Sequence, residues 1–224
     1  MFCIYLSKID LKKNFIMEFI YNSFRHSGVI LNEPDFVEEF TEIIDVISSI
    51  SEGHLISKHQ SYGVNNIENT PKSLSKAIND LLKEGLVSKG WTPESGIFQD
   101  ENYLGDTWRL DFAKKNISIE VAFNHSSVIA WNLTKPVLAS ELNHVKKAIQ
   151  TKIGVVITAT EELKQNGRFD GAIGTYEKYL DYLPPLNNIL TIPLFIIGLK
   201  SPLTFTLEDF QYAPRKKIGK VVMK

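Results

Sequence analysis

This sequence has few cysteines, no long hydrophobic run and almost no net charge. Its 224 residues include one cysteine, Cys3, which excludes a disulfide framework and a cysteine-based zinc site and indicates a reducing compartment. The longest apolar run, Leu190 to Leu199, contains Pro193 and is too short to span a bilayer. The N-terminal residues do not have the pattern of a secretory signal. We therefore expect a cytoplasmic protein that does not enter a membrane.

Charge is nearly balanced overall but unevenly distributed. The formal net charge is -1 at pH 7, yet residues 1–60 hold 5 basic and 9 acidic side chains, whereas residues 211–224 hold 5 basic and no acidic ones. A near-neutral chain is not typical of a strong non-specific nucleic-acid binder, although basic groups lining a cleft would still allow selective binding. The basic tail over 211–224 either binds along the phosphates of a nucleic acid or is a solvated terminus.

The most informative segment runs from Thr107 to Phe123. Apolar residues alternate on both sides of a polar turn at 114–116, which predicts a hairpin of two short strands. Asp111 and Glu120 lie nine residues apart, one in each strand. Period-two geometry turns Glu120 and Ala122 away from the isoleucines of their strand, and it turns Asp111 away from its own apolar neighbours. If the strands pair, the two carboxylates can meet on one face.

Two carboxylates held close together repel each other and raise their own pKa values unless a cation lies between them. Hard oxygen ligands favour magnesium or manganese over zinc, and none of the histidines lies in a zinc-binding spacing. The pair is therefore a candidate site for magnesium or manganese. The alternative is a solvated hairpin at a sheet edge whose acids face water.

The remaining pattern predicts an α/β fold with a mixed sheet in one domain, because helical and strand periods alternate without repeats or low-complexity linkers. Residues 52–69 are polar and glycine-punctuated, which predicts a loop. The predicted helices cover Pro34 to Ile50, Pro71 to Gly85, Pro136 to Gln150 and Gly171 to Leu183, and the predicted buried strands cover Ile153 to Thr158 and Thr191 to Leu199.

An ordered series of blocks between about Pro71 and Pro202 resembles the BglII/BstYI type of restriction endonucleases. The blocks are Ser-Lys-Gly-Trp ending at Trp91, Asp111-Phe, Glu120-Val-x-Phe, Gly-Val-Val-Ile, Gly-x-x-x-x-Tyr-Glu and Ile-Pro-Leu-x-x-Ile-Gly-Leu. The resemblance implies a PD-(D/E)XK nuclease, with a mixed central β-sheet flanked by helices. It further implies a homodimer on double-stranded DNA and magnesium-dependent cleavage, with manganese able to substitute, within palindromes containing GATC, leaving 5′ phosphates. The chain would then be a single nuclease domain over 1–224, with an N-terminal helical part over 1–51, a catalytic core over 71–202 and the basic tail.

Residue by residue, the resemblance assigns the metal-binding acids to Asp111 and Glu120, and it adds the backbone carbonyl of Val121 as a ligand. Glu94 matches a polar position near the active site and is the third acidic candidate. One position departs from the pattern: Ala122 stands where these enzymes have glutamine and the wider superfamily has lysine. Either another residue replaces that polar group, with Lys114, Asn124 and His125 as nearby candidates, or cleavage is weakened or lost.

Base recognition requires side chains that reach base edges in the major groove. Two segments are candidates. One directly follows the second strand of the hairpin, and the other is the glycine-flanked stretch at 165–171, in which an arginine suits guanine and a glutamine or asparagine suits adenine. The latter stretch could equally be an ordinary surface loop. The candidate DNA-binding residues are Asn124, His125, Gln165, Asn166, Arg168 and Asp170.

Three hypotheses follow, and the first is favoured. A sequence-specific endonuclease would lose metal-dependent cleavage on Asp111→Ala or Glu120→Ala. A non-cutting DNA-binding relative, suggested by Ala122, would bind specifically without cleavage. An unrelated α/β domain with structural acids would have no affinity for DNA.

Overall fold

The computed structural model describes residues 15–103, 105–141 and 145–224. Its strands are β1 (Phe19–Phe24), β2 (Thr92–Gly96), β3 (Arg109–Lys114), β4 (Ile117–Val121), β5 (Ile153–Ala159), β6 (Leu194–Leu199), β7 (Phe205–Ala213) and β8 (Lys216–Met223). Its α-helices are α1 (Ser27–Ile30), α2 (Val37–Ser49), α3 (Glu52–Ser61), α4 (Ser75–Ser88), α5 (Ile129–Ser140), α6 (Glu161–Asn166) and α7 (Tyr176–Tyr182). In this part of the chain, no helix is long and apolar enough to cross a membrane.

A mixed sheet organises the described residues. Six strands lie in the order β1-β6-β5-β4-β3-β2, while β7 and β8 pair separately. β5 is parallel to both β4 and β6, and the remaining pairs in the large sheet are antiparallel. Every residue of β5 and β6 is buried, as their continuous apolar sequences predict for central parallel strands. The predicted mixed central sheet flanked by helices is confirmed.

Helices cover the sheet on both faces, and alternate side chains of each strand point to opposite faces. Val155 and Ile157 of β5 pack into a core cluster with the apolar sides of α2 and α4. Val156 of β5 packs on the other face with α5 and α7, in a cluster that includes Ala122 and Leu133. The hairpin of β3 and β4 therefore separates two layers, and each of its residues faces one of them.

The position of α5 differs from the prediction. The sequence predicts a helix that starts at Pro136, because proline suits a first helical turn. In the structure, the helix begins at Ile129 and contains Pro136 in its interior. Close packing fixes the proline there. A Cβ added to Gly154 of β5 would lie 2.5 Å from the Cβ of Pro136, so the missing glycine side chain lets the helix approach the sheet. Residues 145–150, predicted to be helical, are not.

The predicted loop over 52–69 is also wrong, because its first part forms α3. Ser51 begins that helix as an N-cap, and its side chain accepts a hydrogen bond from the backbone N–H of His54 at 3.2 Å. Glu52 in the first turn suits the positive end of the helix dipole. Gly53 suggested a break in the sequence, but it lies in the first turn, where a glycine is tolerated.

The two ends of the chain also differ from the prediction. The predicted N-terminal helical part over 1–51 includes β1, an edge strand paired with β6, and its residues 1–14 lie outside the described residues. The predicted basic tail contains β8 and the end of β7, and two of its lysines form ion pairs there: Lys216 with Glu68 at 3.1 Å and Lys217 with Asp209 at 3.0 Å. The predicted helix over 171–183 and the predicted strand over 191–199 are both present in shorter form.

Candidate active site

The strand pairing brings the two predicted acids together. Phe112 of β3 pairs with Ile119 of β4, and one further step along this antiparallel register sets Asp111 opposite Glu120. Glu120 is only 2% exposed, and Asp111 is half-buried. The Asp111 Oδ2 accepts a hydrogen bond of 2.6 Å from the backbone N–H of Val121, which fixes its carboxylate beside β4. The predicted meeting of the two acids on one face is confirmed.

Glu94 lies on the neighbouring strand β2. The register of β2 and β3, in which Pro93 pairs with Phe112 and Ser95 with Leu110, sets Glu94 opposite Asp111. Its backbone has a left-handed φ of 49° and its side chain is exposed, unlike the other two acids. Across residues 15–103, 105–141 and 145–224, no three His, Cys, Asp or Glu side chains are grouped to hold a metal ion. The site thus offers two carboxylates, with Glu94 at its edge.

Both acids at the centre of the site are held in an environment that disfavours their charge. Burial raises the pKa of Glu120 well above its usual range, and the negative charge of Asp111 raises it further. Burial also raises the pKa of Asp111, although the hydrogen bond from Val121 opposes this shift. The Glu120 Oε1 is buried, and no described residue donates a hydrogen bond to it. An unsatisfied carboxylate oxygen beside a second carboxylate fits a hard divalent cation, which would lower both pKa values.

Sequence reasoning missed Lys135, which is the basic residue in contact with Glu120. It extends from α5, is 8% exposed, and its Nζ forms an ion pair with the Glu120 Oε2. The same Nζ donates a hydrogen bond of 3.1 Å to the backbone carbonyl of Arg109. A signal was available, because Lys135 is the only charged residue between His125 and Glu141. A lone charge in an apolar helix that packs on a sheet is expected to have a buried partner.

None of the substitutes expected for the missing polar group at Ala122 is seen to contact either carboxylate. Ala122 is 1% exposed and packs in an apolar cluster. Lys114 lies on the other face of the hairpin, where its Nζ contacts Glu42 at 2.7 Å. Asn124 and His125 form hydrogen bonds elsewhere, with Asn132 and Ser127 respectively. The position therefore remains apolar.

A hydrogen-bond network fixes the chain just beyond β4. The Asn132 Nδ2 donates to the Asn124 Oδ1 at 2.9 Å and to the Tyr179 Oη at 2.7 Å. Burial raises the pKa of Tyr179, and the negative charges of Glu120 and Asp111 contribute to the same shift. The neutral phenol is therefore strongly favoured, and Asn124 is supported from the interior of the protein.

The segment after β4 is held by residues that directly follow the 165–171 stretch. Ser126 donates its backbone N–H to the carbonyl of Ala172 at 2.7 Å, and Gly174 donates to the carbonyl of Asn124 at 3.0 Å. His125 is exposed, and its Nδ1 accepts a hydrogen bond of 3.0 Å from the backbone N–H of Ser127, so a neutral ring carries its proton on Nε2. The structure thus brings the segment after β4 next to the chain that follows the 165–171 stretch.

Within that stretch, the candidate side chains differ in how firmly they are held. Arg168 has a left-handed φ of 56°, and its Nη2 lies 2.7 Å from the Asp209 Oδ1 on β7. The Asn166 Nδ2 donates to the Ser201 Oγ at 2.9 Å, and the Asp170 Oδ1 accepts from the backbone N–H of Ala172 at 2.8 Å. Gln165 and Arg168 are exposed. Arg168 is therefore held by Asp209 through its Nε and Nη2.

Comparisons with known proteins identify a related family and a shared fold. The chain matches the family described as "Restriction endonuclease BglII/BglIII" over residues 19–199. The structure of restriction endonuclease BglII complexed with a DNA 16-mer is similar, with a TM-score of 0.62 and 18% identity, covering 93% of this chain and 100% of that one. The structure of free BglII has a TM-score of 0.51 and 19% identity, with the same coverage. No curated protein sequence matches the chain.

Proposed function

Because this chain belongs to the BglII/BglIII family of restriction endonucleases, we propose that it is a magnesium-dependent enzyme that cuts a short palindromic site containing GATC and leaves 5′ phosphates. The chain is a type II restriction endonuclease, an enzyme class that cleaves DNA at specific sites. The observation that carries the metal dependence is the pairing of Asp111 with Glu120, whose Oε1 is buried without a hydrogen-bond donor among the described residues.

Asp111, Glu120 and the backbone carbonyl of Val121 would hold the magnesium ion, and manganese would bind to the same oxygens. When bound, the ion supplies positive charge that polarises a water molecule and stabilises the departing 3′ oxygen. The chain orients the ligands in advance. The Val121 N–H fixes the Asp111 carboxylate, and burial between the sheet and α5 keeps bulk water from Glu120. Glu94, at the exposed edge, would be the third acid on the DNA side.

DNA recognition would come from the segment after β4 and from the 165–171 stretch. In this proposal, Asn124, His125 and the side chains of the 165–171 stretch read bases, while a twofold homodimer matches the symmetry of a palindrome. The complex of BglII with DNA supports duplex DNA as the partner. Residues 1–224 would act as one nuclease domain in the cytoplasm, where a restriction enzyme meets incoming DNA.

Incubation with plasmid DNA tests this function. The purified protein is given methylated and unmethylated plasmid in magnesium, manganese or chelator, and the ends of any products are sequenced. Glu120→Gln removes one ligand charge, and Glu208→Gln, at an exposed position of β7, is the matched control. We expect discrete ends with 5′ phosphates at a GATC-containing site, formed with metal by wild type and Glu208→Gln alone. Intact DNA under every condition would contradict the proposal.

A further inference from the structure

We propose that Lys135 is a positioning residue of the cleavage reaction, supplied by α5 to the carboxylates of the hairpin. It holds the Glu120 Oε2, which leaves the Oε1 available to a metal ion, and it brings a fixed positive charge to the place where the phosphodiester is attacked. This inference rests on the proposed nuclease function, because a positioning role requires a reaction to support.

The burial of the pair is the first reason. Glu120 is 2% exposed and Lys135 is 8% exposed, so both charges are withdrawn from water. Desolvation of a buried ion pair commonly cancels its Coulomb attraction, and apolar residues of similar volume stabilise such a position equally well. A pair that contributes little to stability is better explained by the chemistry that it enables.

The incomplete satisfaction of Glu120 is the second reason. Lys135 contacts one carboxylate oxygen only and directs its other described hydrogen bond to the carbonyl of Arg109. The other oxygen, Oε1, has no donor among the described residues. A lysine that served only to neutralise Glu120 would leave no reason for an unsatisfied oxygen. The arrangement occupies one carboxylate oxygen and leaves the other for a further cation.

The apolar surroundings of the neighbouring strand position are the third reason. Ala122 lies two residues after Glu120 on the same face and packs with Ile129 and Leu133 of α5. No polar group can come from this position. Lys135 reaches the Glu120 carboxylate from α5. The positive group of the site is therefore supplied by α5 and not by β4.

Two opposite consequences follow from this placement. The charge of Lys135 opposes the binding of a second cation at Glu120, because like charges repel in a medium that screens them poorly. The same charge favours the negative charge that develops on the attacked phosphate. Removing it should therefore strengthen the binding of a divalent ion and slow cleavage. If Lys135 had a purely structural role, its removal would weaken divalent-ion binding and also slow cleavage.

The test compares Lys135→Met with Lys114→Met, which removes a half-buried lysine that contacts Glu42 on the opposite face of the hairpin. Single-turnover cleavage, Mn²⁺ affinity by calorimetry on the free protein, and DNA affinity in chelator are measured for both. We expect Lys135→Met to cleave about 100-fold more slowly, to bind Mn²⁺ several-fold more tightly and to keep its DNA affinity. Lys114→Met should match wild type in all three. Cleavage by Lys135→Met within about tenfold of wild type, or slower cleavage with weaker Mn²⁺ binding, overturns the inference.

Chemical rescue keeps the test decisive if Lys135→Met does not fold. In a Cys3→Ser background, Lys135→Cys is alkylated in denaturant with 2-bromoethylamine, which restores an amine of nearly the same length, and is then refolded. Alkylation with iodoacetamide gives an uncharged control. Activity restored by the amine alone supports the inference, and a refolded amine form as slow as the control overturns it. If wild type cuts no DNA, the proposed function fails instead, so the two failures are distinguishable.

Discussion

The two faces of the β3–β4 hairpin carry the same pair of residue types with opposite degrees of satisfaction. On the face toward α2, Lys114 contacts both oxygens of Glu42, and the Trp91 Nε1 donates to the same carboxylate at 2.9 Å. On the face toward α5, Lys135 contacts one oxygen of Glu120, and the other has no described donor. In the first arrangement both carboxylate oxygens of Glu42 have donors, and the ion pair joins α2 to the hairpin. The second leaves one buried carboxylate oxygen unsatisfied, and in our proposal a divalent cation binds there.

Removing the charge of Asp111 should give the largest effect. Asp111→Asn keeps an oxygen for the Val121 N–H but removes the charge of a proposed metal ligand, so we expect cleavage to fall on the order of 1000-fold or more. The same change removes the repulsion of Glu120, so the melting temperature of the metal-free protein should rise by a few degrees. Cleavage assays and thermal melting in chelator measure the two effects.

The control for this variant is Asp181→Asn, which neutralises an exposed aspartate of α7. It should retain cleavage and show no gain in melting temperature. If Asp111→Asn melted well below wild type, its carboxylate would be a structural group like Glu42, and the contrast between the two faces would be lost.

On the opposite face of the hairpin, removing the charge of Glu42 should lower stability and leave cleavage unchanged. This effect should be smaller than the loss of cleavage in Asp111→Asn. Glu42→Gln leaves Lys114 with a neutral partner in a partly buried position, which should cost about 1–2 kcal/mol of unfolding free energy and lower the melting temperature by a few degrees. Cleavage below the transition should be unchanged, because no residue of this pair contacts the two acids of the site. Denaturant unfolding and a single-turnover assay check both statements. Loss of cleavage in a folded Glu42→Gln protein would contradict them.

The parts of the site that depend on residues close in sequence can be predicted from the sequence. The parts that depend on tertiary packing cannot. The meeting of Asp111 with Glu120 depends on strand alternation and one short turn, so the hairpin alone predicts it. The buried sequences of β5 and β6 predict central strands for the same reason. Lys135 depends on where α5 begins and how closely it approaches Gly154, which is a tertiary effect. The general preference of proline for a first turn gave the wrong start and placed the lysine outside the helix.

The edge strands were missed for another physical reason. β2 has the sequence Thr-Pro-Glu-Ser-Gly, which reads as a turn, and it forms a strand because β3 supplies its partner. β1 likewise depends on pairing with β6, more than 160 residues later in the chain. When a strand pairs with residues far away in the sequence, its own composition gives little indication that it is a strand. Glu94 could therefore be assigned to the site by resemblance, whereas its place opposite Asp111 required the sheet.

The pH dependence of stability should separate the two faces further. Burial raises the pKa of Glu120 and of Asp111 above the unfolded values, so the native state binds more protons than the unfolded state between those pKa values. Stability of the metal-free protein should therefore decrease as pH rises from the unfolded pKa values through the native ones. Melting in chelator across pH 5 to 8 measures this slope. Asp111→Asn should flatten it, and Glu42→Gln should not.

The smallest effect is expected where an ion pair is exposed. Arg168 and Lys217 hold Asp209 at the surface and lower its pKa, and exposed pairs of this kind contribute little to stability. Asp209→Asn should leave the melting temperature within about one degree of wild type. If Arg168 reads a base, its release should strengthen binding to cognate DNA about twofold to threefold, measured in chelator by fluorescence anisotropy. The double variant with Arg168→Ala should lose that gain. An equal gain in the double variant would mean that Asp209 acts through general charge repulsion and that Arg168 does not contact the DNA.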